Sequence, residues 1–83
     1  MTESILQKVW DSQGHVCKLT GIKLDSQHSL YKPSLDRIDP NRGYVCGNIR
    51  IVAWIVNKCR MDLSDQEFVE MCKAIADHAR TRT

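Results

Sequence analysis

The stretch "PSLDRIDPNRGYVCGN", residues 33–48, decides how the rest of the chain is read. Residues 34–38 alternate apolar and polar side chains as a strand does, and Asp39-Pro40 ends the run because proline cannot donate to a ladder. "PNRG" has the chemistry of a loop. After Gly47 a second strand is expected over 48–52. "VAWIVNKCRM", 52–61, then fits a helix whose inner face is Val52, Ile55, Val56 and Cys59, with Ala53, Asn57 and Arg60 on another face. Strand, loop, strand and helix over 33–61 form a ββα unit.

Outward from that unit the signals are local. Thr2 is placed to cap a helix over 3–13, with Ile5, Leu6, Val9 and Trp10 on one side and Gly14 as its stop. "HVCKLTGIKL", 15–24, reads as a small hairpin or knuckle turning at Thr20-Gly21. "SDQE", 64–67, is a capping box in which Ser64 and Glu67 exchange backbone hydrogen bonds. The helix behind it is expected to pack through Phe68, Cys72, Ile75 and Ala79 and to fray at "RTRT". The fold class is therefore α+β: one domain over 1–83, with a central ββα unit between a knuckle and flanking N- and C-terminal helices.

Composition narrows the setting. Eighty-three residues with 42% hydrophobic and 27% charged side chains suit one small globular domain. Such a chain hides only about 60–65% of its unfolded surface, so its core is marginal. No apolar run approaches the roughly 20 residues of a membrane span, and charges throughout the first 20 residues argue against a signal peptide. A cytoplasmic protein is expected. Cys17, Cys46, Cys59 and Cys72 contain no C-x-x-C pair, so structural zinc is not expected and the thiols read as small buried apolar groups. Net charge is only +2, but Arg37, Arg42, Arg50, Lys58 and Arg60 fall within 24 residues that hold Asp39 as their one carboxylate. A basic centre of this kind suits phosphate binding.

Four blocks in order carry a resemblance: Cys17-Lys18-Leu19-Thr20-Gly21; Ser34-Leu35-Asp36-Arg37-Ile38-Asp39; Gly43-Tyr44-Val45-Cys46-Gly47-Asn48-Ile49; and Asn57. Together they resemble the ββα-metal finger of the HNH (His-Me finger) endonuclease superfamily, and within it the small phage-type members with Asp-Arg in place of Asp-His. The resemblance implies a metal-dependent DNA endonuclease of phage or mobile-element origin. Asp36 and Asn57 would share Mg²⁺ or Mn²⁺, with Asp39 as a further candidate ligand. Asn48 would brace the loop, while Arg37, Arg42, Arg50, Lys58 and Arg60 hold the backbone. A single unit reaches one strand, so cutting both would take a homodimer.

The general base is the gap in this scheme. Arg37 stands where HNH enzymes carry histidine, and a guanidinium holds no free lone pair at neutral pH. It can instead clamp a phosphate or stabilise developing charge. His15 is the first candidate to reach in from the knuckle, with His28 beside it and His78 less well placed; Asp39 is another, and water on the metal alone a third. The alternative from a different class is a catalytically inactive HNH-like protein that docks on DNA or blocks a host factor.

Overall fold

The computed structural model describes residues 2–81. Five elements follow in order: α1 (Glu3–Ser12), β1 (Pro33–Arg37), β2 (Ile49–Ala53), α2 (Trp54–Arg60) and α3 (Asp65–Thr81). The strands pair antiparallel in the register Pro33↔Ala53 to Arg37↔Ile49, so Asp36 stands directly across from Arg50. The strands lie within a residue of the expected spans and α2 within two. The C-terminal part of "RTRT" lies outside the described residues, and Thr81 is still helical.

Local chemistry explains the boundaries. The Ile5 amide donates to Thr2 Oγ1 at 3.4 Å to open α1. The knuckle is held by the Val16↔Lys23 bridge and by Cys17 N donating to Ile22 O at 2.8 Å, with Gly21 turning at φ 74°. Ser64 and Glu67 form the reciprocal capping box, at 2.9 and 3.2 Å, that starts α3. Gly47 turns the chain into β2 at φ 87°, where a side chain would be strained.

β2 is buried at all five positions and forms the spine of the core. Cys17, Leu24, Ile51, Val52, Ala53, Val56 and Phe68 make a single cluster, with Trp10, Leu19, Tyr31 and Leu35 packed against it. On the other side of β2 from β1 the Gln13 side chain acts as a short third strand. Its amide nitrogen donates to Ile51 O and its oxygen accepts from Ile51 N, both at 2.8 Å. Nothing in the sequence pattern singled Gln13 out.

Three expectations about packing are corrected. Cys17 is buried, but Cys46, Cys59 and Cys72 are exposed. On α2 the inner position assigned to Cys59 belongs to Arg60, which is only 2% exposed. On α3 only Phe68 is buried, while Cys72 and Ile75 face solvent. The radius of gyration, 14.0 Å, exceeds the roughly 12 Å of a compact chain of this length, as expected for a helix extending beyond the body. No helix among the described residues is long and apolar enough to cross a membrane.

Candidate functional site

The seam between β1 and α2 brings together Asp36, Asn57 and Arg60 of the residues the sequence singled out, with Arg50 reaching in from β2. Ser34 and Asp36 project from the same face of β1, since side chains alternate along a strand. Asn57 and Arg60, three apart on α2, lie over them. The Asn57 amide nitrogen donates to Ser34 Oγ at 2.9 Å and to Leu35 O at 3.1 Å. Arg60 Nη2 donates to Asp36 Oδ1 at 2.6 Å and to Arg37 O at 2.9 Å, and its Nη1 donates to Leu63 O.

From the other side Arg50 Nε donates to Asp36 Oδ2 at 2.8 Å. Its two terminal nitrogens grip Asp65 in a bidentate fork, each at 2.6 Å. Asp36, Arg50, Arg60 and Asp65 thus form two carboxylates and two guanidiniums in alternation, tying β1, β2, α2 and α3 together. The Arg50 hydrogen bonds hold the Asp65 carboxyl below its ordinary value of 3.8, and Asp65 in turn, ahead of Asp36, raises the Arg50 pKa further. Arg60 Nε alone has no partner in this cluster.

This geometry corrects several expected roles. Asp36 is 3% exposed, and each of its oxygens accepts from a guanidinium. A divalent cation would have to displace Arg50 and Arg60 from those oxygens before Asp36 could hold it. Arg50 and Arg60, expected on a DNA-facing surface, are buried ion-pair partners. Asp39, the further candidate ligand, accepts from Asn41 N at 2.9 Å in an Asx turn. Among the described residues no group of three or more His, Cys, Asp or Glu is arranged to hold a metal.

The rings of His15 and His28 are engaged elsewhere. His15 Nε2 lies 3.2 Å from Asp11 Oδ1, and its ring stacks on Trp10 at 4.6 Å, which fixes it on α1. His28 Nδ1 accepts from the Leu30 and Tyr31 amides, and the ring stacks on Tyr31. His78 sits in the last turns of α3, where its carbonyl accepts from Thr81 Oγ1.

Asn48 is 1% exposed. Its oxygen accepts from Asp39 N at 2.9 Å, and its nitrogen donates to Asp39 O at 3.2 Å and Gly43 O at 2.9 Å. One side chain therefore closes both ends of the 39–43 loop, as the amide of a loop brace should.

Three cations outside the cluster sit beside aromatic rings. Lys32 Nζ lies 4.9 Å and Lys58 Nζ 5.7 Å from the centre of the Trp54 ring. Arg37 lies over the exposed Tyr44 ring at 5.2 Å and reaches the carbonyl of exposed Arg42. Lys32, Trp54 and Tyr44 were not among the expected site residues; aromatic residues next to lysine and arginine in the stretches 31–32, 42–44 and 54–58 were the available signal. No protein-family model, curated protein or solved structure matches the chain.

Proposed function

We propose that the chain is a DNA-binding module that holds the phosphate backbone with exposed cations seated beside aromatic rings. The observation that carries this reading is Trp54 flanked by Lys32 and Lys58 at the start of α2, with Arg37, Arg42 and Tyr44 as a second group. Ammonium and guanidinium groups neutralise phosphates, and ring faces accept unstacked bases. The Asp36–Arg50–Arg60–Asp65 cluster acts as the frame that holds the strands and α2 beneath these groups.

Titration of labelled DNA at several salt concentrations tests it. Four phosphate contacts give a slope of log K against log salt of about −3.6 on duplex and about −2.8 on single strands. Lys58→Ala and Arg42→Ala are each expected to reduce that slope by nearly one while leaving the fold intact. Binding that is salt-independent, or unchanged in both variants, rejects the proposal.

The second reading is the metal-dependent endonuclease that the resemblance implies. One observation favours it: Asp36 and Asn57, the two expected ligands, do border the same seam, on either side of the Ser34 and Arg60 contacts. Incubation of supercoiled plasmid with Mg²⁺ or Mn²⁺ separates the two readings. Nicking abolished by EDTA and by Asn57→Ala establishes the enzyme. Intact plasmid with undiminished DNA binding leaves the binder.

A further inference from the structure

The C-terminal helix carries more apolar surface than its own chain covers. α3 has 17 residues, so it is about 25 Å long, and only Phe68 is buried. Residues advance by about 100° around a helix, which places Met71, Cys72, Ile75 and Ala79 on one stripe with Phe68. Every position from 69 to 76 is exposed, Ile75 at 60% and Met71 at 41%. At its N-terminal end the stripe runs into a groove lined by Cys59, Met61, Leu63 and Met71, where Met61 is 74% exposed. A contiguous apolar strip rimmed by charge marks an interaction surface.

The order of charges along α3 specifies what fits it. Glu67 and Glu70 fall in the first six positions with Asp65, whose charge is matched by Arg50, and no cation of the helix's own lies among them. Lys73, His78 and Arg80 follow, and the one carboxylate among them, Asp77, is tied within the helix to Lys73 and Arg80 at 3.0 and 2.7 Å. The helix is therefore negative at its start and positive toward its end. A parallel pair of such helices stacks like charges, whereas an antiparallel pair sets each half against its complement and opposes the helix dipoles favourably. The spacing agrees: Glu67 and His78 are three turns apart on one flank of the stripe and meet across a two-fold axis between residues 72 and 73. Val69 and Ala76 do the same on the other flank.

We infer that α3 is a self-association helix. Two copies pack antiparallel through the stripe from Met71 to Ala79, with Phe68 held in its own core and Glu67 of each copy opposite His78 of the other. The contact involves neither DNA nor the seam, so it stands whatever becomes of the function proposed above. A single pair of 25 Å helices buries less than the roughly 1,200 Å² of a standard stable interface, which makes the dimer weak and concentration-dependent.

Sedimentation equilibrium of the full chain, from micromolar concentrations up to about 1 mM, is expected to follow a monomer–dimer equilibrium. Ile75→Glu places a carboxylate in mid-stripe at an exposed position. It is expected to keep the thermal midpoint of the dilute protein and to weaken association at least about tenfold. Orientation is read in a chain carrying Cys46→Ser, Cys59→Ser and Cys72→Ser. Under mild oxidation, a mixture of Val69→Cys and Ala76→Cys chains should form the mixed disulfide in preference to either self-pair. A chain that stays monomeric up to about 1 mM overturns the inference and leaves the stripe to a partner of different sequence. So does a dimer unaffected by Ile75→Glu, or faster self-pairing of Val69→Cys than mixed pairing.

Discussion

Asp36 is the residue on which the two functional readings part. As a metal ligand it would be dispensable to folding; as the carboxylate between Arg50 and Arg60 it is the group that makes two buried guanidiniums tolerable. Asp36→Ala leaves Arg60 without its close counter-charge and Arg50 with Asp65 alone, and is expected to cost about 3–5 kcal/mol, a large share of what a small domain possesses. Urea unfolding measures it, and a variant as stable as the parent would show the cluster to be idle. Asn48→Ala strands the Asp39 amide and two carbonyls and should cost at least about 2 kcal/mol by the same measurement. Acid has a defined direction. Arg50 holds Asp65, and the Ser64 amide holds Glu67, below their ordinary values of 3.8 and 4.5. In the folded chain each carboxyl is thus deprotonated more readily than in the unfolded chain. Their stabilisation is complete above those ordinary values and is lost as pH falls through the lower folded ones. The urea midpoint should be level in these groups near neutrality and decline below about pH 4.5, with Asp65→Asn flattening the decline. The buried roles of Arg50 and Arg60 were half legible. Arg50 lies inside an apolar strand opposite Asp36, and Arg60 falls four residues after Val56 on the inner stripe of α2. A lone arginine reads as solvent-facing because isolated charges are rarely buried, and only the pairing partner, distant in sequence, reverses that.

Among the elements, the two strands and α2 were readable because their signals are local: alternation, a proline stop, a loop and a helical stripe, each complete within ten residues. The capping box was readable for the same reason. What α3 packs against was not, because periodicity reports an apolar face and not whether the chain has anything left to cover it. The exit from α2 carries a feature no pattern announces. Met61 follows the helix at φ 51° and ψ −123°, a backbone conformation that side chains oppose and glycine accepts. Met61→Gly is expected to raise stability by about 1 kcal/mol despite the greater freedom of the unfolded chain. Comparison of thermal midpoints checks it, and a lowered midpoint would mean that the Met61 side chain, exposed as it is, contributes through the neighbouring groove.

For the whole molecule, the design is a small body with its charges interlocked and one long helix left free. Four elements converge on two carboxylates and two guanidiniums, and Lys32, Lys58 and Arg37 are held near rings. The Gln13 side chain completes this body in a way that reaches beyond one molecule. A ribbon of two strands has two bare margins, and a row of unsatisfied amides and carbonyls invites any passing chain to add itself as the next rung. The carboxamide at position 13 blocks one margin at its midpoint by supplying a donor and an acceptor from a side chain, and the Lys18 amide donates to the same Ile51 carbonyl at 3.1 Å. Gln13→Ala should therefore do more than loosen α1. Concentrated solutions of that variant are expected to seed thioflavin-positive fibres while the parent stays clear, making one glutamine this protein's guard against polymerisation.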